Sequence, residues 1–111
     1  MDLRTRRPRS PYEMVGGIRF LPRTIDKMRA HVSGTAGDYR VHVGASRSIF
    51  RLFGISSGTF EEIVKANQTD EEILAALMAL KKLTPADRDR FNNGLYMRFA
   101  CWLLRNDCDP S

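Results

Sequence analysis

Three helix-start signals follow one another in the second half of the chain, and they limit the possible fold more than any other feature. Thr59 with Glu62, and Thr69 with Glu72, have the spacing at which a hydroxyl and a carboxylate satisfy each other's backbone N–H groups. Thr84, followed by Pro85 and Asp87, is a start of related logic, with proline suited to the first turn. The pattern predicts helices over Phe60 to about Ala66, Asp70 to about Leu83 and Pro85 to about Arg105.

The first half supplies two more. Leu21, Ile25, Met28 and Val32 fall on one narrow side of a helix that Pro22 opens and Gly34 closes, while Arg23, Asp26, Lys27 and Ala30 fall almost opposite. Ile49, Phe50 and Phe53 mark a short helix ended by Gly54, with Ile55 placed to pack back. Tyr12 to Val15 is expected to form a turn of helix, which Gly16-Gly17 then breaks. Tyr39, Val41 and Val43 alternate with Arg40 and His42, but the run is too short for a sheet without a partner, so an extended connector is expected. Phe91, Leu95, Phe99 and Trp102 form one stripe of the last helix, and Met97, Cys101 and Leu104 another, leaving a slim strip with Arg98 and Arg105. So apolar a helix is expected at the centre of the bundle, the alternative being that it lends one face to a second subunit.

These elements give an all-α chain: a single small orthogonal bundle of five or six helices, with an extended N-terminal arm. Residues 1–11 are assigned to the basic arm and 12–111 to one helical domain, since 111 residues suffice for one core and leave no room for a second. No apolar run approaches the ~18 residues of a membrane span, and the arginine-rich start runs into Pro8 and Pro11, so a cytoplasmic location without membrane contact is expected. Cys101 and Cys108, on one predicted helix, stand roughly 10 Å apart and cannot pair while it persists. Two free thiols fit a reducing compartment.

Charge is unevenly placed within the net +5. Residues 1–51 hold eleven Lys and Arg against four acids, and residues 52–111 hold seven against nine. A basic half attracts acidic ligands or protein partners and is compatible with nucleic acid.

The run Pro8-Arg9-Ser10-Pro11, then Gly16-Gly17, then Leu21-Pro22-Arg23 with Ile25-Asp26-Lys27 and Arg29-Ala30, resembles the opening of a bacterial family of small proteins of unknown function. Phe53-Gly54-Ile55 and the Asp70-Glu71-Glu72-Ile73-Leu74 helix start are similar too. The resemblance implies a soluble, largely helical domain and brings no activity, cofactor or catalytic residue with it.

The candidate sites are therefore read from the residues. Arg23, Asp26, Lys27 and Arg29 form a solvated face of weak ion pairs, an anion site in which Asp26 orients the cations around a carboxylate or phosphate, or a subunit or intramolecular salt-bridge network. Arg4, Arg6, Arg7 and Arg9 form either a solubilising tail or an arm that follows a nucleic-acid backbone, though without a neighbouring aromatic platform for stacking. No metal or cofactor is expected, since His31 and His42 have no metal-ligand spacing. No nucleophile elbow surrounds any serine, and His31, Asp38 and Tyr39 are the least unsuited acid–base groups of a chain more readily read as a non-enzyme. The function expected is a small binding or interaction module whose basic N-terminal half recognises an acidic ligand or partner. The alternatives are a nucleic-acid-associated accessory protein and a small enzyme, in a monomer or homodimer.

Overall fold

The structure, a computed structural model, describes residues 2–108. The expected domain limits at residues 1 and 111 lie outside that span. Six helices and one hairpin make up the regular structure of the described residues, which matches the mainly helical expectation.

The hairpin is the first departure. β1 (Met14–Val15) pairs antiparallel with β2 (Ile18–Arg19) where a helical turn was expected. Gly16 and Gly17, at φ +59° and +74°, form the two-residue turn in which both central positions need positive φ, so the pair reverses the chain rather than merely interrupting it. α1 (Leu21–Val32) follows, with Pro22 in its first turn as predicted. α2 (Ser46–Phe53) ends at Gly54 in the left-handed region, and the Ile55 N–H donates back to the Phe50 carbonyl.

α3 (Ser57–Ala66) begins earlier than expected. Ser56, not Thr59, is the cap: its hydroxyl accepts from the Thr59 N–H at 3.1 Å, so the Thr59–Glu62 box is not formed. Glycine and serine at positions 56–58 carry no apolar signal, which hid that first turn. α4 (Asp70–Leu80) has the full Thr69–Glu72 capping box, and α5 (Pro85–Asn93) has the Thr84–Asp87 equivalent. The single long final helix is overturned. Gly94 adopts an extended conformation and separates α5 from α6 (Leu95–Leu103). A Cβ there would lie 3.3 Å from the Arg90 carbonyl oxygen, so the turn is as tight as a side chain would barely permit.

The centre of the bundle is α1, not the final helix. Leu21, Ile25 and Met28 pack with Ile49, Phe50 and Phe53 of α2, Phe60 and Val64 of α3, and Ile73 and Leu77 of α4. Each such side chain removed from water stabilises the fold by about 1.5–3 kcal/mol. From α6 only Met97, Ala100 and Cys101 join the core, while Leu95 is 83% exposed and Phe99, Trp102 and Leu103 are each more than half exposed. Val32, placed in the α1 stripe, is also exposed. The 38–45 segment has no strand, in line with a connector. Both cysteines are free; Cys101 is buried on α6 and Cys108 lies past its end.

Candidate functional site

The charged side of α1 is where the sequence places a solvated face, an anion site or a salt-bridge network, and Arg23 and Asp26 on it are covered and paired within the chain. Arg23 is 1% exposed and Asp26 5% exposed. Two segments cover them. The N-terminal residues, expected as a free arm, lie against the bundle: Leu3 is buried, its N–H donates to the Thr35 carbonyl at 2.8 Å, and Pro8 and Pro11 are buried too. The segment after α6 closes the other side through Asp107.

Each predicted cation has a place in this cover. The Arg9 backbone N–H donates to Asp26 Oδ2 at 2.8 Å, and its guanidinium spans Asp26 (3.1 Å) and Asp70 (2.6 Å). Burial alone would lower the Arg9 pKa, but the hydrogen bonds to Asp70 and Asp26 outweigh it and raise the pKa further. Arg23 donates to the carboxylate of Asp107 at 2.7 Å, to the Asp107 main-chain carbonyl, and to the Arg9 carbonyl at 3.3 Å. Tyr39 donates its hydroxyl to the other Asp107 oxygen at 2.8 Å. Burial would raise the Asp107 carboxyl, yet the bonds from Tyr39 and Arg23 hold it below its ordinary value. Burial, then the bond to Asp107, push Tyr39 up to about 12. Arg29 reaches away from this group to the Gln68 carbonyl at 2.7 Å, ending near the start of α4.

The arginine arm is dispersed in the same way. Arg4 pairs with Asp2, Arg7 donates to the Asn106 carbonyl at 2.8 Å, and Arg9 is half-buried as described, so these three side chains have partners within the chain. Arg6 is exposed. Asp26, Asp70 and Asp107 already occupy Arg9 and Arg23, and an external anion at Arg23 would have to displace Asp107.

Lys27 is the exception. It is half-buried, donates to no carboxylate within hydrogen-bond range among the described residues, and has its pKa lowered to about 8 by burial and then by the neighbouring Arg23 charge. Its ordinary value is 10.5, so between pH 8 and 10.5 the folded chain binds fewer protons than the unfolded one. Stability therefore rises with pH across that window, and below it the full penalty of the charged amine is present. Lys27→Met should accordingly stabilise the fold at pH 7 by about 1–2 kcal/mol, a figure reduced for partial solvent screening. Urea midpoints of both proteins at pH 7 and pH 10 check this; a gain equal at both pH values refutes the lowered amine.

A different surface is open to a partner. Tyr12, Arg19, Leu95, Arg98, Phe99 and Trp102 line a groove of about 490 Å³ between the start of the hairpin and the outer side of α6. The Arg19 guanidinium carbon stands 5.5 Å from the Tyr12 ring centroid, and that of Arg105 4.4 Å from Trp102. Leu95, Phe99 and Trp102 are legible in the sequence as a stripe, expected as core or as a face lent to a second subunit. Arg19 and Tyr12 carried no signal, because only the hairpin brings them to α6. The histidines also behave unexpectedly: His31 and His42, read as unrelated, meet beside Glu61 at the C-terminal end of α1.

No helix of the described residues is long and apolar enough to cross a membrane. The sequence model of the family described as Domain of unknown function (DUF5069) matches residues 5–99, a span that includes Arg9, Arg23, Asp26 and most of the groove and stops before Asp107. No curated protein matches the chain.

Proposed function

We propose that this chain, which belongs to the DUF5069 family of domains of unknown function, is an interaction module that takes an acidic, amphipathic protein helix into the groove along α6. One observation carries the reading: Leu95, Phe99 and Trp102 are exposed side by side, with Arg19 and Arg98 in the same lining and no acidic residue among them. Monomeric proteins rarely leave a contiguous patch of large apolar side chains in water, and such a patch marks a contact site. Cations at its edge select an acidic partner and raise the encounter rate. An amphipathic helix with apolar anchors at i, i+3, i+4 and i+7 and acids elsewhere meets both demands.

The proposal moves recognition from the basic N-terminal half to α6 and the hairpin. It also ranks nucleic acid lower. Arg19 and Arg105 already cover one face each of Tyr12 and Trp102, which leaves fewer ring faces for base stacking. Self-association across the groove would bring Arg19 and Arg98 of each copy toward their own counterparts or leave them unmatched.

Fluorescence anisotropy with three labelled probes tests this: an acidic amphipathic helical peptide, a scrambled peptide of the same composition, and an oligothymidylate. The helical peptide alone should bind, more weakly as salt rises, and Arg98→Glu and Trp102→Ser should each weaken it about tenfold or more, equivalent to ~1.4 kcal/mol. Equal binding of the scrambled peptide, tighter binding of the oligonucleotide, or a dimer in sedimentation that Phe99→Asp dissolves would each overturn the reading.

A further inference from the structure

At the opposite end of α1 from the hairpin, three potential metal ligands from three separate parts of the chain converge. His31 lies in the last turn of α1, His42 on the connector before α2, and Glu61 on α3. The Nε2 atoms of His31 and His42 are 3.5 Å apart, His31 Nε2 is 3.4 Å from Glu61 Oε1, and the three donor atoms lie within 4.8 Å of one another. The two imidazole planes are nearly perpendicular at 88°, with centroids 4.8 Å apart, so the rings meet edge-on rather than stacking.

Those separations are what a small divalent ion requires. Zinc bound at 2.0–2.1 Å to nitrogen and at similar length to oxygen sets neighbouring ligand atoms of a tetrahedron about 3.3–3.4 Å apart. Two of the three edges, at 3.5 and 3.4 Å, are already close to that length, and closing the third needs a side-chain adjustment at residues that are exposed or half-exposed. Two imidazoles and a carboxylate suit zinc and its first-row neighbours, whereas calcium and magnesium prefer an all-oxygen shell. Without an ion, the cluster has a bland alternative: one imidazole N–H donating to the other ring's lone pair, with Glu61 nearby.

We propose that His31 Nε2, His42 Nε2 and a Glu61 carboxylate oxygen bind a zinc-class divalent cation, leaving a fourth position open to water or to a ligand donated from outside. The ion ties the connector to α1 and α3. That connector runs from residue 33 to 45 with no regular structure; Thr35, Tyr39 and Val41 anchor it, while His42 and Val43 are exposed, so a tether at His42 adds a hold on its exposed stretch. Neither ring has an Nδ1 acceptor from the protein among the described residues, so no second shell strengthens the ligands and the site binds zinc less tightly than one with such partners, by a factor of about 10–100. This site is independent of the α6 groove and stands or falls separately from it.

The test uses the full, tag-free chain stripped with a chelator. Cobalt titration should produce visible d–d absorption of a low-symmetry site without a thiolate charge-transfer band, and zinc should displace it stoichiometrically. Zinc should also slow hydrogen exchange in residues 33–45. His42→Ala and Glu61→Gln should each lower zinc affinity at least tenfold, with circular dichroism confirming that these exposed substitutions leave the helices intact. A thiolate band that Cys108→Ser removes would assign the ion to a cysteine instead and overturn the proposal. So would unchanged zinc affinity in the double variant His31→Ala/His42→Ala, or the absence of any cobalt spectrum and any exchange protection in the parent chain.

Discussion

Replacing Arg9 by methionine should cost the fold about 2–4 kcal/mol, seen as a lower urea midpoint with an unchanged slope. The methionine keeps most of the side chain's volume, so the loss reads charge rather than packing. Asp26 is 5% exposed and would retain the Arg9 main-chain N–H while losing the guanidinium, and Asp70 would lose its 2.6 Å contact. A carboxylate left buried without its counter-charge pays a desolvation cost that water cannot refund, whereas the exposed Arg4–Asp2 pair can be broken at almost none. The control is Asp26→Asn in the Arg9→Met background. If the pair is the cause, the amide should recover part of the loss, and the double-mutant cycle should show coupling of 1 kcal/mol or more. Additive effects would mean that Arg9 acts through packing of the N-terminal segment alone.

Two phenylalanines should separate stability from binding. Phe60 is fully buried, with its ring centroid 5.2 Å from that of Phe50, and Phe60→Ala should cost about 3–5 kcal/mol, a large share of the 5–15 kcal/mol typical of a domain. Phe99 is 58% exposed, and Phe99→Ala should change stability by less than about 1 kcal/mol while weakening the acidic helical peptide about tenfold. Paired denaturation and anisotropy measurements on both variants check this. Comparable destabilisation by the two would place Phe99 in the core and remove the basis for the groove.

That contrast also marks the limit of what the residue pattern can say. Phe60 and Phe99 each sit at a helical period among other apolar residues, and periodicity reports that a stripe must be covered, not what covers it. The local signals fared better: Thr69–Glu72, Thr84–Asp87, Pro22 and Gly54 all act within one turn of themselves, and all four stand where they were expected. Gly94 gives no clear stop, because a glycine inside an otherwise helical pattern is tolerated at a modest cost. The partners of the charged α1 stripe are illegible for a different reason. Its partners lie far along the chain, Arg9 being 17 residues from Asp26 and 61 from Asp70, and pairing at that separation leaves no spacing to read. The His31–His42–Glu61 cluster is hidden in the same way, since three elements must fold before the donors meet.

The Arg23–Asp107 pair joins positions 84 residues apart. A ribosome delivers the arginine 84 residues before its counter-ion, so α1, against which α2 and α3 pack, spends that interval with a cation that its finished environment will not hydrate. The order of emergence thus sets a checkpoint: helices α1 to α4 can associate while the chain is still growing, but the side of α1 bearing Arg23 stays wet until residue 107 clears the exit tunnel. Stalled chains ending near residue 95 should therefore remain open to protease around residues 7–11 and 23, and chains extended by a linker that frees residue 107 should not.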